Sequence, residues 1–241
     1  MSILRPGGLE LTGYALQQAG VQPGGALLEV GCGDGTAAAY IQREFHQLVT
    51  AIDIDEAAVA KAREKGVDAR IMDASALEFD VCGFDTVTME CVFTALERQE
   101  EAIHEAYCML KPGGNLILSD LYCRHPDMDR WEQDYWAAMA QFRKPRLHAN
   151  CGKIEHIPSP YCQDGAVVLK GLTDLLEELE LKVALLEDRT RDLQGFAAQA
   201  IMECGSLEAW FAEHGSWKPC ACAGKDVGYF LLIAHKGERN A

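Results

Sequence analysis

The densest chemical potential in the chain lies in seven residues, Glu29-Val30-Gly31-Cys32-Gly33-Asp34-Gly35, where an apolar run turns into a helical stretch. Gly31 and Gly33 can take backbone angles closed to other residues, which lets the chain approach a ligand closely. Gly35 lets the following helix pack near the strand. An acid, Asp53, stands at the end of the next apolar run, 24 positions beyond Glu29. A carboxylate there can accept hydrogen bonds from ribose hydroxyls. The spacing is G-x-G-x-G rather than the G-x-G-x-x-G that cradles a dinucleotide pyrophosphate. A pyrophosphate needs a helix N-terminus presented to it. A sulfonium nucleoside with an α-amino group does not, and Glu29 beneath the loop suits that amine. The expected cofactor is therefore S-adenosyl-L-methionine.

Thiols are the second source of chemistry. The chain has 10 cysteines, which in a reducing compartment stay thiols. Cys82, Cys91 and Cys108 stand among apolar positions and read as core. Cys220-Ala221-Cys222 offers two thiolates, half of what a zinc site needs, so no metal site is expected. Five histidines, His104, His125, His148, His156 and His235, show no ligand spacing, although His148 and His156 could serve as bases. Trp131, Tyr135 and Trp136 share a helical stretch and read as core or pocket wall rather than an aromatic cage for a sulfonium.

These residues need a frame, and the pattern supplies one. Short apolar runs predict strands at Ala26 to Val30, Leu48 to Asp53, Asp68 to Met72, Phe84 to Met89 and Asn115 to Leu121. Helices are expected between them, over Thr36 to Phe45, Glu56 to Lys65 and Glu97 to Leu110, the last ended by Lys111-Pro112-Gly113-Gly114. Asp55 reads as the N-cap of the second. This alternation implies an α/β, Rossmann-like, mostly parallel sheet with helices on both faces. Beyond Leu121 the rhythm breaks, and residues 122–165, with a helix over Met128 to Phe142, read as an insertion forming a lid. A helix over Ala166 to Glu180, a strand at Lys182 to Leu186, a helical region from Leu193 to His214 and a strand at Val227 to His235 follow. Residues 1–23, with a helix from Leu9 to Ala19, are expected to cover the cofactor cleft. The whole, 1–241, reads as one domain.

Composition narrows the function further. With 37 acidic residues against 22 Lys and Arg, the net charge is -15, which repels polyphosphates and gives no counterion release to drive nucleic-acid binding. A small-molecule partner is expected instead. The apolar runs are too short to span a bilayer, and the first residues show no apolar secretion segment, so a cytoplasmic location is expected. Oligomeric state is not legible.

Four motifs in order then carry a resemblance. Leu28-Glu29-Val30-Gly31-Cys32-Gly33-Asp34-Gly35, Ala51-Ile52-Asp53-Ile54-Asp55, Asp73-Ala74 and Leu110-Lys111-Pro112-Gly113-Gly114 resemble the class I S-adenosylmethionine-dependent methyltransferases of the small-molecule branch. The resemblance implies that Glu29, Gly31, Cys32, Gly33 and Gly35 form the cofactor loop. It implies that Asp53 binds the ribose, Ile54 packs on the adenine, Asp73 accepts from the adenine amino group and Ala74 adds a backbone contact. Glu90 would lie near the methionine moiety. The stretch after the fifth strand is weakly similar to the arsenite methyltransferase-like subgroup, in which a Cys precedes a Gly-Ala-rich helix start. Pro160-Tyr161-Cys162-Gln163-Asp164-Gly165-Ala166 would be that element, making Cys162 a substrate-contacting thiol with Cys123 and Cys151 as companions. That subgroup also has a cysteine ahead of the cofactor loop, which residues 1 to 31 lack. The implied activity is methyl transfer to a small molecule, with a metalloid or thiol as the sharper expectation. Carbon or oxygen methylation of a quinone-like or other small metabolite is the alternative. A non-catalytic S-adenosylmethionine-binding or metal/redox partner protein is the third reading.

Overall fold

The computed structural model describes residues 5–142, 161–214 and 226–238. Five strands, β1 (Ala26–Val30), β2 (Leu48–Asp53), β3 (Asp68–Ile71), β4 (Phe84–Glu90) and β5 (Leu110–Cys123), run parallel in the order β3-β2-β1-β4-β5. Between them lie α2 (Thr36–Phe45), α3 (Glu56–Glu64), a 3-10 turn (Phe93–Ala95) and α4 (Gln99–Met109), with α1 (Gly8–Gln18) ahead of β1. The chain reverses direction across the sheet between β1 and β4, where open α/β sheets leave a crevice at the carboxyl ends of their strands.

Adjacent residues of a strand point to opposite faces, and here both faces are apolar. Leu28, Val30, Val87, Met89, Leu116 and Leu118 join one core with Ala102, Ile103 and Ala106 of α4. Leu27, Ala51 and Ile117 join a second with Leu11 and Leu16 of α1, Ile41 of α2 and Ala62 of α3. This double burial is why these strands read as continuous apolar runs rather than alternating ones.

After β5 come α5 (Met128–Phe142), β6 (Cys162–Gln163), β7 (Ala166–Val167), α6 (Leu169–Glu178), β8 (Leu181–Asp188), α7 (Thr190–Cys204), α8 (Leu207–His214) and β9 (Val227–Lys236). β9 lies antiparallel between β5 and β8. β7 pairs with Tyr122 of β5, whose other edge is taken by Gly228 of β9, so β7 continues the edge that β4 occupies lower down.

Four expectations are revised. Asp164-Gly165 is a two-residue hairpin turn, both residues at positive φ (50° and 82°), the geometry that Asp-Gly favours. Ala166 and Val167 therefore form a strand, and the helix expected from Ala166 starts at Leu169. Gly205, at φ 85°, divides the expected Leu193 to His214 helix into α7 and α8. Lys111 to Gly114 is absorbed into β5, as an irregularity in the register between Phe84 and Thr86. Cys108 is exposed on α4 rather than core. Asp55 caps α3 as read, accepting from the Ala57 N–H at 2.9 Å.

Candidate active site

The loop after β1 is bent onto β2 by its backbone. The N–H groups of Gly31 and Cys32 both donate to the Ile52 carbonyl, at 2.8 and 2.9 Å. The next donor, Gly33 N–H, reaches the Asp53 carboxylate at 2.8 Å, whose other oxygen accepts from the Asp55 N–H at 3.0 Å. Loop and acid are thus fixed to each other before any ligand arrives. Among the described residues a methyl group added to Gly33 would meet nothing within 4 Å, whereas one on Gly35 would sit 2.5 Å from the Ala62 Cβ. Gly33 faces open space. Gly35 makes room for α3, not for the strand as its position in the motif suggested.

Beside Asp53 the Ile54 side chain is 74% exposed, an apolar surface at the rim of the crevice. The Met72 N–H donates to the Asp53 carbonyl at 3.0 Å, which brings the end of β3 alongside. There Asp73 Oδ1 accepts from both the backbone N–H and the hydroxyl of Ser75, each at 2.8 Å. The Ser75 N–H above all holds this carboxyl below the usual range, and Ala74 beside it is buried.

Under the loop lies a buried polar cluster. Glu90, at the tip of β4, accepts from Arg5 at 2.6 Å and from the Thr12 hydroxyl at 3.1 Å, and Arg5 also donates to Thr12. Glu29 is 3% exposed, and its Oε2 has no hydrogen-bond partner among the described residues. Burial pushes its carboxyl up to about 8; Arg5 opposes that rise, while Glu90 and Asp34 add to it. The register places Glu29 beside Thr88, whose hydroxyl is likewise buried and unpartnered among the described residues. Further along, the Cys91 thiol lies 2.8 Å from the Tyr229 hydroxyl, which donates to Ser119 Oγ at 3.1 Å. Burial chiefly raises the Cys91 thiol well above its ordinary range, so it stays protonated. Cys32, mostly by burial and then by Glu29, is pushed up to about 12.

Arg5, Thr12, Ser119 and Tyr229 had no role in the reading of the motifs. They lie up to 138 positions from their partners, and nothing in local spacing marks such pairs. The N-terminal segment reaches the tip of β4 through Arg5 and Thr12.

The two described candidate thiols, Cys162 and Cys123, lie on opposite faces of the sheet. Cys162 is half-buried against the core beneath α4 and receives a hydrogen bond from Gln99 at 3.4 Å, while Gln99 also donates to the Phe93 carbonyl. Cys123 packs against the core on the opposite face, and burial raises its thiol. Cys151 lies outside the described residues, as do His148, His156, Cys220 and Cys222. Among the described residues no group of three or more His, Cys, Asp or Glu side chains is placed to hold a metal. Cys162 lies on β6, with the hairpin between it and α6, which starts at Leu169. Trp131 is buried against Gly171 and joins Tyr135, Tyr161 and Phe93 in an aromatic row with centroids 5.4 to 6.5 Å apart, whereas Trp136 is 63% exposed.

Comparison with known proteins agrees with this geometry. Residues 28–118 match the family described as "Methyltransferase domain". An uncharacterised protein of Haemophilus influenzae is 32% identical over 49% of this chain and 51% of its own. Phosphoethanolamine N-methyltransferase 1 of Arabidopsis thaliana is 28% identical over 50% of this chain and 26% of its own. The chain therefore spans about half of the first relative's length and about a quarter of the second's. A solved structure of phosphoethanolamine N-methyltransferase 2 from Haemonchus contortus, in complex with phosphomonomethylethanolamine and S-adenosylhomocysteine, superposes with a TM-score of 0.70. That pair shares 18% identity, covering 98% of this chain and 55% of the other. Among the described residues no helix is long and apolar enough to cross a membrane. Residues 28–118, on a sheet ordered β3-β2-β1-β4-β5, thus carry the match to a methyltransferase domain, and the chain shares its fold with a solved methyltransferase that holds S-adenosylhomocysteine.

Proposed function

We propose that the protein binds S-adenosyl-L-methionine at the carboxyl ends of β1, β2 and β4 and transfers its methyl group to a small molecule. The observation that carries this is the preformed contact between Gly33 N–H and Asp53, with open space over Gly33 and an exposed Ile54 beside it. Ribose hydroxyls would donate to Asp53, the adenine would lie on Ile54, and Asp73 with Ala74 would edge the base. The methionyl end would run toward Glu29 and Glu90. The cofactor supplies an electrophilic methyl on a sulfonium. Bound there, it would offer that methyl to an acceptor lone pair, with a neutral thioether as its leaving group. The protein's part is to align the two in line and exclude water.

For the acceptor, the favoured reading is a molecule that brings its own nucleophile, an amine, hydroxyl or activated carbon, to the ends of β4 and β5. A thiolate-held metalloid needs soft ligands on one side, and Cys162 and Cys123 belong to opposite faces. Calorimetry with S-adenosylmethionine and S-adenosylhomocysteine tests the cofactor assignment. Uptake by the native chain and its loss in Asp53→Ala are expected, and no uptake of either compound overturns it. Transfer of labelled methyl to a panel of an ethanolamine-type amine, a quinol, a small dithiol and arsenite tests the acceptor. Arsenite turnover that vanishes in Cys162→Ser would reverse the preference.

A further inference from the structure

Near the end of β5 the chain carries a fully buried acid. Asp120 is 0% exposed and points to the same face of the strand as Leu116 and Leu118, which pack in the core beneath α4. Burying a carboxylate is costly unless donors satisfy it. Its Oδ2 accepts from the Thr94 N–H at 2.9 Å, and its Oδ1 from the Thr94 hydroxyl at 2.8 Å and the Leu121 N–H at 2.7 Å. One carboxylate thus grips both donors of a single residue in the 3-10 turn that follows β4. The Ala95 N–H closes that turn on the Val92 carbonyl at 3.0 Å, and the Cys91 N–H ties its approach to the Ser119 carbonyl of β5 at 2.7 Å. Val92 itself lies against Gly31 of the loop after β1: a methyl added to Gly31 would sit 2.4 Å from Val92 Cγ2. On its other flank the same loop is bonded to the Ile52 carbonyl. The loop is therefore held between β2 and Val92, and the place of Val92 is set from β5 through Thr94.

We propose that Asp120 is a positioning residue for cofactor binding: by gripping Thr94 it seats Val92 against Gly31 and holds the loop after β1 in the shape that takes S-adenosylmethionine. The inference rests on the cofactor reading and adds the residue that sets one side of that site. With no exposed surface, Asp120 touches no ligand and acts through the turn. A carboxylate suits the task because its two oxygens fix both the distance and the direction of Thr94, which an apolar side chain of similar volume would leave free to slide. An amide does not replace it. Whichever way an Asn at 120 is turned, its NH2 meets the N–H of Thr94 or of Leu121, donor against donor.

The test is a double-variant cycle in affinity, read by calorimetric titration of S-adenosylhomocysteine at a temperature where the variants are folded. Thr94→Val removes the hydroxyl that Asp120 holds and keeps its volume, whereas Val92→Ala leaves the grip and removes the contact with Gly31. Each is expected to weaken binding about tenfold, and Thr94→Ser, which keeps the hydroxyl, less than about twofold. The Thr94→Val/Val92→Ala double variant should bind no more weakly than the weaker single, because both act on one contact. Native affinity in either single variant, whatever its melting temperature, overturns the proposal while leaving the cofactor reading standing. So do losses that multiply to about a hundredfold in the double variant, since the two residues would then act by separate routes. If Thr94→Val does not fold, Val92→Ala decides alone, by loss of affinity or by its retention. Failure of the native chain to bind removes the cofactor reading and this inference together.

Discussion

Gly33 and Gly35 are two positions apart, yet alanine at each is expected to break a different property. Both have positive φ, 53° and 75°, so alanine incurs the same left-handed strain at either, about 1–2 kcal/mol. Only at position 35 is there a second cost. The new methyl would sit 2.5 Å from the Ala62 Cβ and 2.7 Å from its Cα, against a normal carbon contact of about 3.5–4 Å. Backbone of α3 cannot rotate away as a flexible side chain would, so overpacking adds about 1–3 kcal/mol. At about 2–4 °C per kcal/mol for a chain of this size, Gly35→Ala melts about 2–12 °C below Gly33→Ala. The order reverses for ligand. Gly33→Ala places a methyl in the open space assigned to the cofactor and is expected to weaken S-adenosylmethionine at least about tenfold, some 1.4 kcal/mol. Gly35→Ala, at temperatures where it is folded, weakens binding less. Thermal melts followed by circular dichroism, paired with calorimetry on the same samples, read both quantities. Equal melting temperatures would refute the packing argument, and unchanged affinity in Gly33→Ala would refute the placement of the cofactor.

Three further outcomes follow from the buried cluster. Arg5→Ala strands Glu90 beneath α1 without a cation and should cost about 3 kcal/mol; urea unfolding should show most of it regained in Arg5→Ala/Glu90→Gln, and a double variant no more stable than the single would count against the pairing. Without cofactor, stability should fall as pH rises: the folded Glu29 holds its proton to about 8 against an ordinary 4.5, so the native state binds more protons than the unfolded chain across that window and loses stability until about pH 8. Asp120, raised to about 6 by burial, adds to the fall between 3.8 and 6, and Glu29→Gln should flatten the upper part in unfolding curves taken at pH 5, 6, 7 and 8. Tyr229→Phe removes a buried hydroxyl bonded to Cys91 and Ser119 and should cost about 1–3 kcal/mol; a loss under about 0.5 kcal/mol would mean those bonds are not kept in solution.

The chain alone determined the order of strands and helices through β5, because both faces of a parallel sheet are buried and its strands become short apolar runs between breakers. It also placed Glu29, Asp53 and Asp73 at strand ends, since strand boundaries follow from those runs. It did not reveal what each residue touches. Gly35 accommodates a neighbouring helix rather than its own strand, because the contact with Ala62 depends on how α2 and α3 lie together. Cys162 and Cys123 fell to opposite faces, because a short hairpin turned at Asp164-Gly165 where the order of residues suggested a helix start. The union of Arg5 with Glu90, 85 positions away, and the burial of Glu29 beside them with one oxygen unpartnered among the described residues, arise only when α1 closes over the sheet. Local pattern encodes burial and turns, which depend on near neighbours. The charge balance of a buried cluster depends on which distant side chains share the same low-dielectric space, and folding alone decides that.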